Sequence, residues 1–278
     1  MTGLVLEGGT FRGIFSAGFM DGLLKNDVMF EYVIGVSAGI SNGVSYVSRQ
    51  YRRNMEIMEN YRRDKHYMGA GNYLKCRSIF GLDFVYDEIP NKLIPFDYEA
   101  YHAYKGRVVV GVTNAETGRE EYLDGLASDD KWGCLRASCA IPGYFPAIEV
   151  DGKPYFDGGI ASPICVKRAI KDGCNKNVIL LTQPKGFVKK CTKGNVFISQ
   201  TIRHKYPAME MPLLARHKLY NDQVHFCEEL EKRGKALIFR PTEKLDSFQS
   251  DKDELERYWQ MGYDTAEKNI DKIREFIG

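Results

Sequence analysis

The chain has 278 residues, 44% of them hydrophobic and 27% charged, with a formal net charge of +2. That length fits one large α/β domain able to bury a core without staples, and so small a net charge excludes a strong preference for nucleic acid or another polyanion. The seven cysteines (Cys76, Cys134, Cys139, Cys165, Cys174, Cys191, Cys227) are odd in number and scattered, with no C-x-x-C pair. They argue for reduced thiols in an intracellular protein and against a disulfide framework or zinc site.

The N-terminus has no basic segment, and Glu7 interrupts its short apolar run, so no signal peptide is expected. No apolar stretch nears the length of a membrane span, which leaves only peripheral lipid contact. Gly3–Glu7 reads as a buried strand. Thr10–Lys25 carries Phe11, Ile14, Phe15, Phe19, Leu23 and Leu24 close to helical spacing. Strand Tyr32–Val36 and a small-residue helix over Ala38–Arg49 complete a β-α-β-α opening, and Met55–Arg63 is a further helix. Residues 67–101, with Pro90, Pro95 and many aromatics, are expected to be irregular. Valine-rich Arg107–Thr113 is a strand, and Leu135–Ala140 is a short helix that stops before Pro142. Ala147–Val150 and Pro154–Phe156 flank Asp151-Gly152, a hairpin signal.

Asn177–Thr182 suits a central parallel strand, and Ala236–Phe239 is the last one. Two helices follow the same logic of caps and stripes. Pro212–Arg233 begins on a proline, stops at Gly234 and turns Leu213, Tyr220, Val224 and Cys227 inward. Asp251–Phe276 gathers Leu255, Trp259, Ala266, Ile270 and Ile273 on one side. Strands alternating with helices predict an α/β fold, a three-layer α/β/α arrangement with a mostly parallel central sheet. With no linker, repeat or low-complexity segment, residues 1–278 are expected to form a single domain.

Three motifs carry chemistry. Gly35-Val36-Ser37-Ala38-Gly39 is a G-x-S-x-G pentapeptide between a strand and a helix. Its turn is too tight for flanking side chains, so glycines sit there and the serine hydroxyl is held above the sheet. Glu7-Gly8-Gly9-Thr10-Phe11-Arg12-Gly13 joins the first strand to the first helix. It fits neither G-x-x-x-x-G-K-[ST] nor G-x-G-x-x-G, so a phosphate cradle is a weak reading. A tight structural turn is one reading, and an oxyanion hole of backbone N–H groups is the sharper one. Asp157-Gly158-Gly159 follows a strand; alone it reads as an Asx turn, but in company it supplies a carboxylate. Each motif lies at the carboxyl end of a predicted strand, and a parallel sheet would bring all three to one rim.

In that order, and with Leu135–Ile141 and Pro142-Gly143-Tyr144-Phe145-Pro146 leading to Tyr155-Phe156-Asp157, the chain resembles the patatin-like phospholipases over roughly residues 3–182. The remainder resembles an uncharacterised bacterial branch of that family. The resemblance implies a catalytic core over about 3–182 with residues 183–278 packed on it. It implies hydrolysis of lipid acyl esters by a Ser–Asp dyad without histidine: Ser37 the nucleophile, Asp157 the base. It also implies oxyanion donors at Gly9 and Thr10 with Gly8 beside them, and Arg12 as a basic residue for substrate phosphate or loop structure. Gly13, Gly35, Gly39, Gly158 and Gly159 are the motif glycines. One departure stands out: the family usually has a third glycine where this chain has Thr10, whose Cβ restricts positive φ, so the loop is expected to be strained or reshaped.

A histidine base has no obvious candidate. His66 and His102 precede Asp157 in irregular or charged contexts, and His204 lies between Arg203 and Lys205. His217 falls on the apolar side of its helix and His225 on the polar side. The aromatic segment (Tyr67, Tyr73, Phe80, Phe84, Tyr86, Phe96, Tyr98, Tyr101) reads either as a lid on an acyl pocket or as a core flap. Lys185, Lys189, Lys190 and Lys193 read either as a solvated loop or as a contact for anionic headgroups. The expected partner is a lipid or acyl-ester substrate, with peripheral membrane contact and no nucleic acid. No cofactor or metal is expected, and the location is expected to be cytoplasmic. A soluble esterase or thioesterase, or a non-catalytic lipid-binding protein, are the alternatives.

Overall fold

A computed structural model describes residues 1–127 and 131–278, and of Cys76 the backbone alone. The chain opens with β1 (Thr2–Leu6), then a 3₁₀ turn (Thr10–Arg12) that runs into α1 (Gly13–Lys25). β2 (Tyr32–Gly35), α2 (Ala38–Val47) and α3 (Arg53–Tyr61) follow. The segment expected to be irregular is largely helical: α4 (Ala70–Cys76), a π-helical stretch over Phe84–Leu93 and α5 (Tyr98–Ala103). The wide π turn accommodates Pro90, which has no N–H to donate.

β3 (Arg107–Asn114) leads into β4 (Glu120–Asp124), α6 (Gly133–Ser138) and the hairpin β5 (Ile148–Val150)–β6 (Lys153–Asp157). As the Asp-Gly signal predicts, both turn residues have positive φ, 50° at Asp151 and 74° at Gly152. α7 (Val166–Lys171), β7 (Lys176–Leu180), α8 (Lys193–Ile202), α9 (Glu210–Lys232), β8 (Ala236–Phe239) and α10 (Lys252–Ile277) complete the chain. Sequence reading missed β4, α7 and α8.

The strands form one sheet in the order β5-β6-β3-β2-β1-β7-β8, with β4 also paired to β3. β3, β2, β1, β7 and β8 are parallel neighbours; β4, β5 and β6 are antiparallel. Period-two alternation sorts the core into two halves. Leu4, Leu6, Val33, Val178 and Leu180 pack with Phe19 and Leu23 of α1, Ile40 and Val44 of α2, and Ala266 and Ile273 of α10. Val5, Ile34, Ile179 and Leu181 point the other way, against Val166 and Ala169 of α7 and Tyr220 and Cys227 of α9. The result is a three-layer α/β/α fold with a mostly parallel sheet.

α10 reaches α1 through glycines. A Cβ on Gly18 would fall 1.9 Å from the Trp259 carbonyl oxygen, and one on Gly262 would fall 1.9 Å from that of Phe15. Asp21 of α1 is buried beside this seam, accepting from Trp259 Nε1 at 2.7 Å and from the Arg52 amide at 3.1 Å. Among the described residues no helix is long and apolar enough to cross a membrane. Cys134, Cys139, Cys165, Cys174 and Cys227 lie in the interior and Cys191 is exposed; the Cys76 side chain lies outside the described residues.

Candidate active site

Ser37 sits between β2 and α2 with φ 52° and ψ −137°, a conformation L-residues rarely adopt and one that costs of order 1–3 kcal/mol. The turn is tight because β1 is close. A Cβ on Gly35 would lie 2.8 Å from Leu6 Cβ, and one on Gly39 would lie 2.6 Å from the Glu7 carbonyl oxygen. The Ser37 amide donates to Ser138 Oγ at 2.8 Å, and that hydroxyl donates to the Gly111 carbonyl at 2.8 Å. Ser138, which no sequence motif singles out, thus ties the strained turn to α6 and β3.

Asp157 ends β6. It reaches the rim on an antiparallel strand and not, as expected, on a parallel one, because β6 runs antiparallel to β3. β3 runs past the rim: Val110 lies opposite Gly35, and Val112, two residues further, lies opposite Asp157. An antiparallel strand arriving from beyond the rim therefore ends at the level of Ser37. Gly158 lets the chain turn there, since a Cβ would fall 2.3 Å from the Gly111 carbonyl oxygen.

The two side chains are close. Ser37 and Asp157 are 7% and 5% exposed, and the serine hydroxyl lies near enough to the Asp157 carboxylate to favour its ionised form. Burial pushes the Asp157 pKa up. Against it work the charge of Arg216, the Ser37 hydroxyl, the Gly159 amide and the charge of Lys189. The Gly159 amide donates to Asp157 Oδ1 at 2.7 Å. Arg216, on α9, donates from Nε to the Gly159 carbonyl at 2.6 Å.

The Gly-rich loop lies over the serine. A Cβ on Gly8 would fall 2.9 Å from Ser37 Cβ, and one on Gly9 would fall 2.6 Å from Thr182 Oγ1. Thr10 takes φ 49°, so the left-handed conformation is kept despite its Cβ. Its hydroxyl lies 2.6 Å from the Gly9 carbonyl oxygen and 2.5 Å from that of Ser247, anchors that offset the strain. Among the described residues no acceptor takes the amides of Gly8, Gly9 or Thr10, while those of Glu7, Phe11 and Arg12 are all bonded. Gly13 opens α1 beside α2, where a Cβ would meet Ala38 Cβ at 3.2 Å.

Arg12 does not stand alone at the site. Its first electrostatic partner is Glu7, followed by Tyr220, Arg216 and Asp246, and burial lowers its pKa. Glu7 is 3% exposed and accepts from the Thr182 amide at 2.7 Å. Burial raises its pKa; the Thr182 amide, Arg12, Lys189 and Tyr220 oppose the rise. The basic loop is not uniformly solvated. Lys185, Lys190 and Lys193 are exposed, but Lys189 turns inward over the Tyr220 ring, 4.5 Å from its centre. Burial, then the cations Arg216 and Arg12, bring its pKa down to about 8. Arg12, Lys189 and Arg216 thus form a cationic wall behind Glu7 and Asp157.

An apolar cavity of about 160 Å³ starts at Ser37 and runs under the aromatic segment. Tyr67, Phe80, Tyr86 and Phe96 line it, and Tyr67, Tyr86 and Phe96 are also core residues, so the segment is both pocket wall and core flap; Tyr101 belongs to the core alone and Tyr73 is exposed. Phe80 stacks on Phe145, ring centres 5.7 Å apart. Cys139 also faces the serine, 3.3 Å from Ser41 Oγ and 3.2 Å from Tyr86 Oη. Burial pushes its thiol up to about 11, which leaves it protonated and a poor rival nucleophile. Among the described residues no histidine lines the cavity. His66 pairs with Asp64, and His217 lies half-buried against the Leu214 carbonyl rather than in the core.

A family model described as patatin-like phospholipase matches residues 4–170, and one described as a domain of unknown function, DUF6363, matches residues 206–278. The uncharacterized protein YjjU of Escherichia coli is 25% identical over 195 residues, covering 65% of this chain and 52% of that protein. Lysophospholipase nte1 of Aspergillus niger is 27% identical over 174 residues, covering 59% of this chain and 11% of that protein. The chain therefore spans about half the length of the first relative and about a tenth of the second. The solved structure of VipD from Legionella pneumophila aligns with a TM-score of 0.46 at 12% identity, covering 98% of this chain and 67% of that one, a likeness too loose to carry an argument.

Proposed function

We propose that this chain, which belongs to the patatin-like phospholipase family, hydrolyses acyl esters of lipids with Ser37 as nucleophile and Asp157 as its base. Membership and the lysophospholipase relatives support a lipid-hydrolysing enzyme at family level. The finer reading rests on one observation: a strained, buried serine hydroxyl beside a buried carboxylate, at the head of an apolar cavity.

In this reading Asp157 takes the Ser37 proton as Oγ attacks the ester carbonyl. Burial, by raising the carboxyl pKa, makes it a better base near neutral pH. The oxyanion of the tetrahedral intermediate draws on the unused amides of Gly8, Gly9 and Thr10. Asp157 returns the proton to the departing alcohol, and water then releases the acyl group by the same route. The acyl chain occupies the cavity. Arg12, with Lys189 and Arg216, favours an anionic group on the alcohol side, which makes phospholipids the preferred class over soluble esters or thioesters.

Leu74 and Phe197, 86% and 70% exposed, are suited to peripheral contact with a membrane, and the cytoplasm is the proposed location. Residues 1–278 act as one unit, because β8 pairs with β7 and Arg216 of α9 bonds Gly159.

The test is labelling with a fluorophosphonate probe, followed by turnover of short p-nitrophenyl esters. Labelling is expected at Ser37 and absent in Ser37→Ala, with turnover in Ser37→Ala and Asp157→Asn reduced on the order of 10⁴-fold. Normal turnover in either variant would end the reading. Liposomes with and without anionic lipid then separate membrane lipid from soluble esters.

A further inference from the structure

The cavity is not apolar to its end. Arg53, the first residue of α3, lines it and is 7% exposed. Its Nη2 donates to the Ile94 carbonyl at 2.9 Å, and its guanidinium lies over the Phe96 ring, 5.1 Å from the centre. Its Nε has no partner. Of five N–H donors, one bond is spoken for. The charges that favour its cation are weak ones, first the Tyr98 phenol and then Glu56, which is exposed and one helical turn on; among the described residues no carboxylate forms an ion pair with Arg53. Arg12 and Arg216 differ in this respect, for each has a buried carboxylate at hand.

The surroundings sharpen the contrast. Asn54 is committed, accepting from Ser45 Oγ at 3.0 Å and donating to the Asn42 carbonyl at 3.1 Å. Val44, Ile57, Met58 and Val85 offer the guanidinium nothing polar. A buried cation without a counter-charge is costly. Burial brings the Arg53 pKa down to about 10, which still leaves it charged at neutral pH. The corner lies well along α2 from the nucleophile: Asn54, next to Arg53, bonds Asn42 and Ser45, which at about 1.5 Å per residue stand about 8 and 12 Å along that helix from Ser37, the reach of a medium-length acyl chain.

We propose that Arg53 receives a carboxylate at the far end of the acyl chain, so that the cavity prefers ω-carboxyl acyl groups, the half-esters of dicarboxylic acids, over methyl-ended ones. The inference rests on the acyl-hydrolase reading for its direction, ester at Ser37 and tail inward. A carboxylate supplies the absent counter-charge through charge-assisted, fork-shaped hydrogen bonds. A methyl end leaves the guanidinium desolvated and unpaired, and sites built around a polar contact reject ligands that omit it.

Binding to Ser37→Ala protein, which cannot turn over the ligand, decides the matter by calorimetry with monomethyl suberate, dimethyl suberate and methyl octanoate. Monomethyl suberate is expected to bind at least about tenfold tighter than either neutral ester, and Arg53→Gln in the same background brings the ratio close to one. Equal affinities with Arg53 present, or a preference that survives Arg53→Gln, would overturn the proposal. Should Arg53→Gln fail to fold, Arg53→Lys takes its place: it keeps the charge but loses the fork, and is expected to lower the ratio, whereas an unchanged ratio would overturn the proposal. Fluorophosphonate labelling of Ser37 in the unmutated protein is separate. Labelled Ser37 with a ratio of one removes this proposal alone, and a high ratio with unlabelled Ser37 removes the hydrolase reading alone.

Discussion

Arg216 Nε holds the carbonyl of Gly159 at 2.6 Å, and the same guanidinium is the strongest of the influences that oppose the burial of Asp157. One side chain from α9 therefore fixes the turn that carries the carboxylate and helps keep that carboxylate ionised. A segment matched by a domain of unknown function supplies part of the electrostatics at Asp157.

Replacing Arg216 by Gln should show this as a change in pH dependence. Asp157 must be deprotonated to accept a proton, its pKa is raised by burial, and Arg216 lowers it. Without that charge the carboxyl pKa rises further, so the acid limb of kcat moves to higher pH. A move of about one pH unit corresponds to about 1.4 kcal/mol of lost interaction. Arg216→Lys, which keeps the charge, should move the limb less. A profile lowered evenly at every pH would show that Arg216 serves the fold alone.

Gly8→Ala tests the loop. The new methyl would have to clear Ser37 Cβ and the Val36 carbonyl oxygen, 2.9 and 3.1 Å from its ideal position. The loop must lift, and losing one oxyanion donor costs roughly 3 kcal/mol of barrier. Turnover should fall about a hundredfold with thermal stability little changed; unimpaired turnover would remove the loop from the mechanism.

Asp21 makes a prediction about stability. Burial raises its pKa from 3.8 to about 6, against the Trp259 and Arg52 hydrogen bonds. The folded state thus holds a proton that the unfolded state has released between about pH 4 and 6, and stability falls as pH rises through that window. A rise of about 2 at about 1.4 kcal/mol each makes the loss on the order of 3 kcal/mol. Urea denaturation of wild type and Asp21→Asn should give curves that diverge by this amount from pH 4 to 7, the variant gaining relative stability. Parallel curves would refute it.

Gly18→Ala and Gly262→Ala should each cost about 2–3 kcal/mol, because each methyl meets a backbone carbonyl that no side-chain movement can clear. Chemical denaturation measures this directly. A change under ~0.5 kcal/mol would mean that α1 and α10 separate easily.

Most strands and the three chemical motifs were legible because their signals are local. Continuous apolar runs marked β1, β2, β3 and β7, and the glycines around Ser37 and after Asp157 marked turns that tolerate no Cβ. The rest of the site depends on distant contacts. Arg216 shares the inner stripe of α9 with Leu213, Tyr220, Gln223 and Cys227, and a charge at that spacing was the available clue. Ser138 and Cys139 gave none, for their meaning lies in how α6 docks on β3. Charged β4 looks like a solvated turn until its pairing with β3 is seen. Likewise Thr10 predicted strain, but its relief comes from Ser247, more than two hundred residues away.

The hairpin that delivers Asp157 makes Ser37 and Asp157, the proposed nucleophile and base, independently adjustable. β6 enters against the direction of its neighbours, and its register on β3, which sets Val112 opposite Asp157, fixes how far it advances. One residue added or lost at Asp151-Gly152, if absorbed by β6, would swing the acid to the opposite face of the sheet. Two would restore the face but slide it about 7 Å along the strand. The length of a solvent-facing turn thus acts as an on–off setting for chemistry that it never touches.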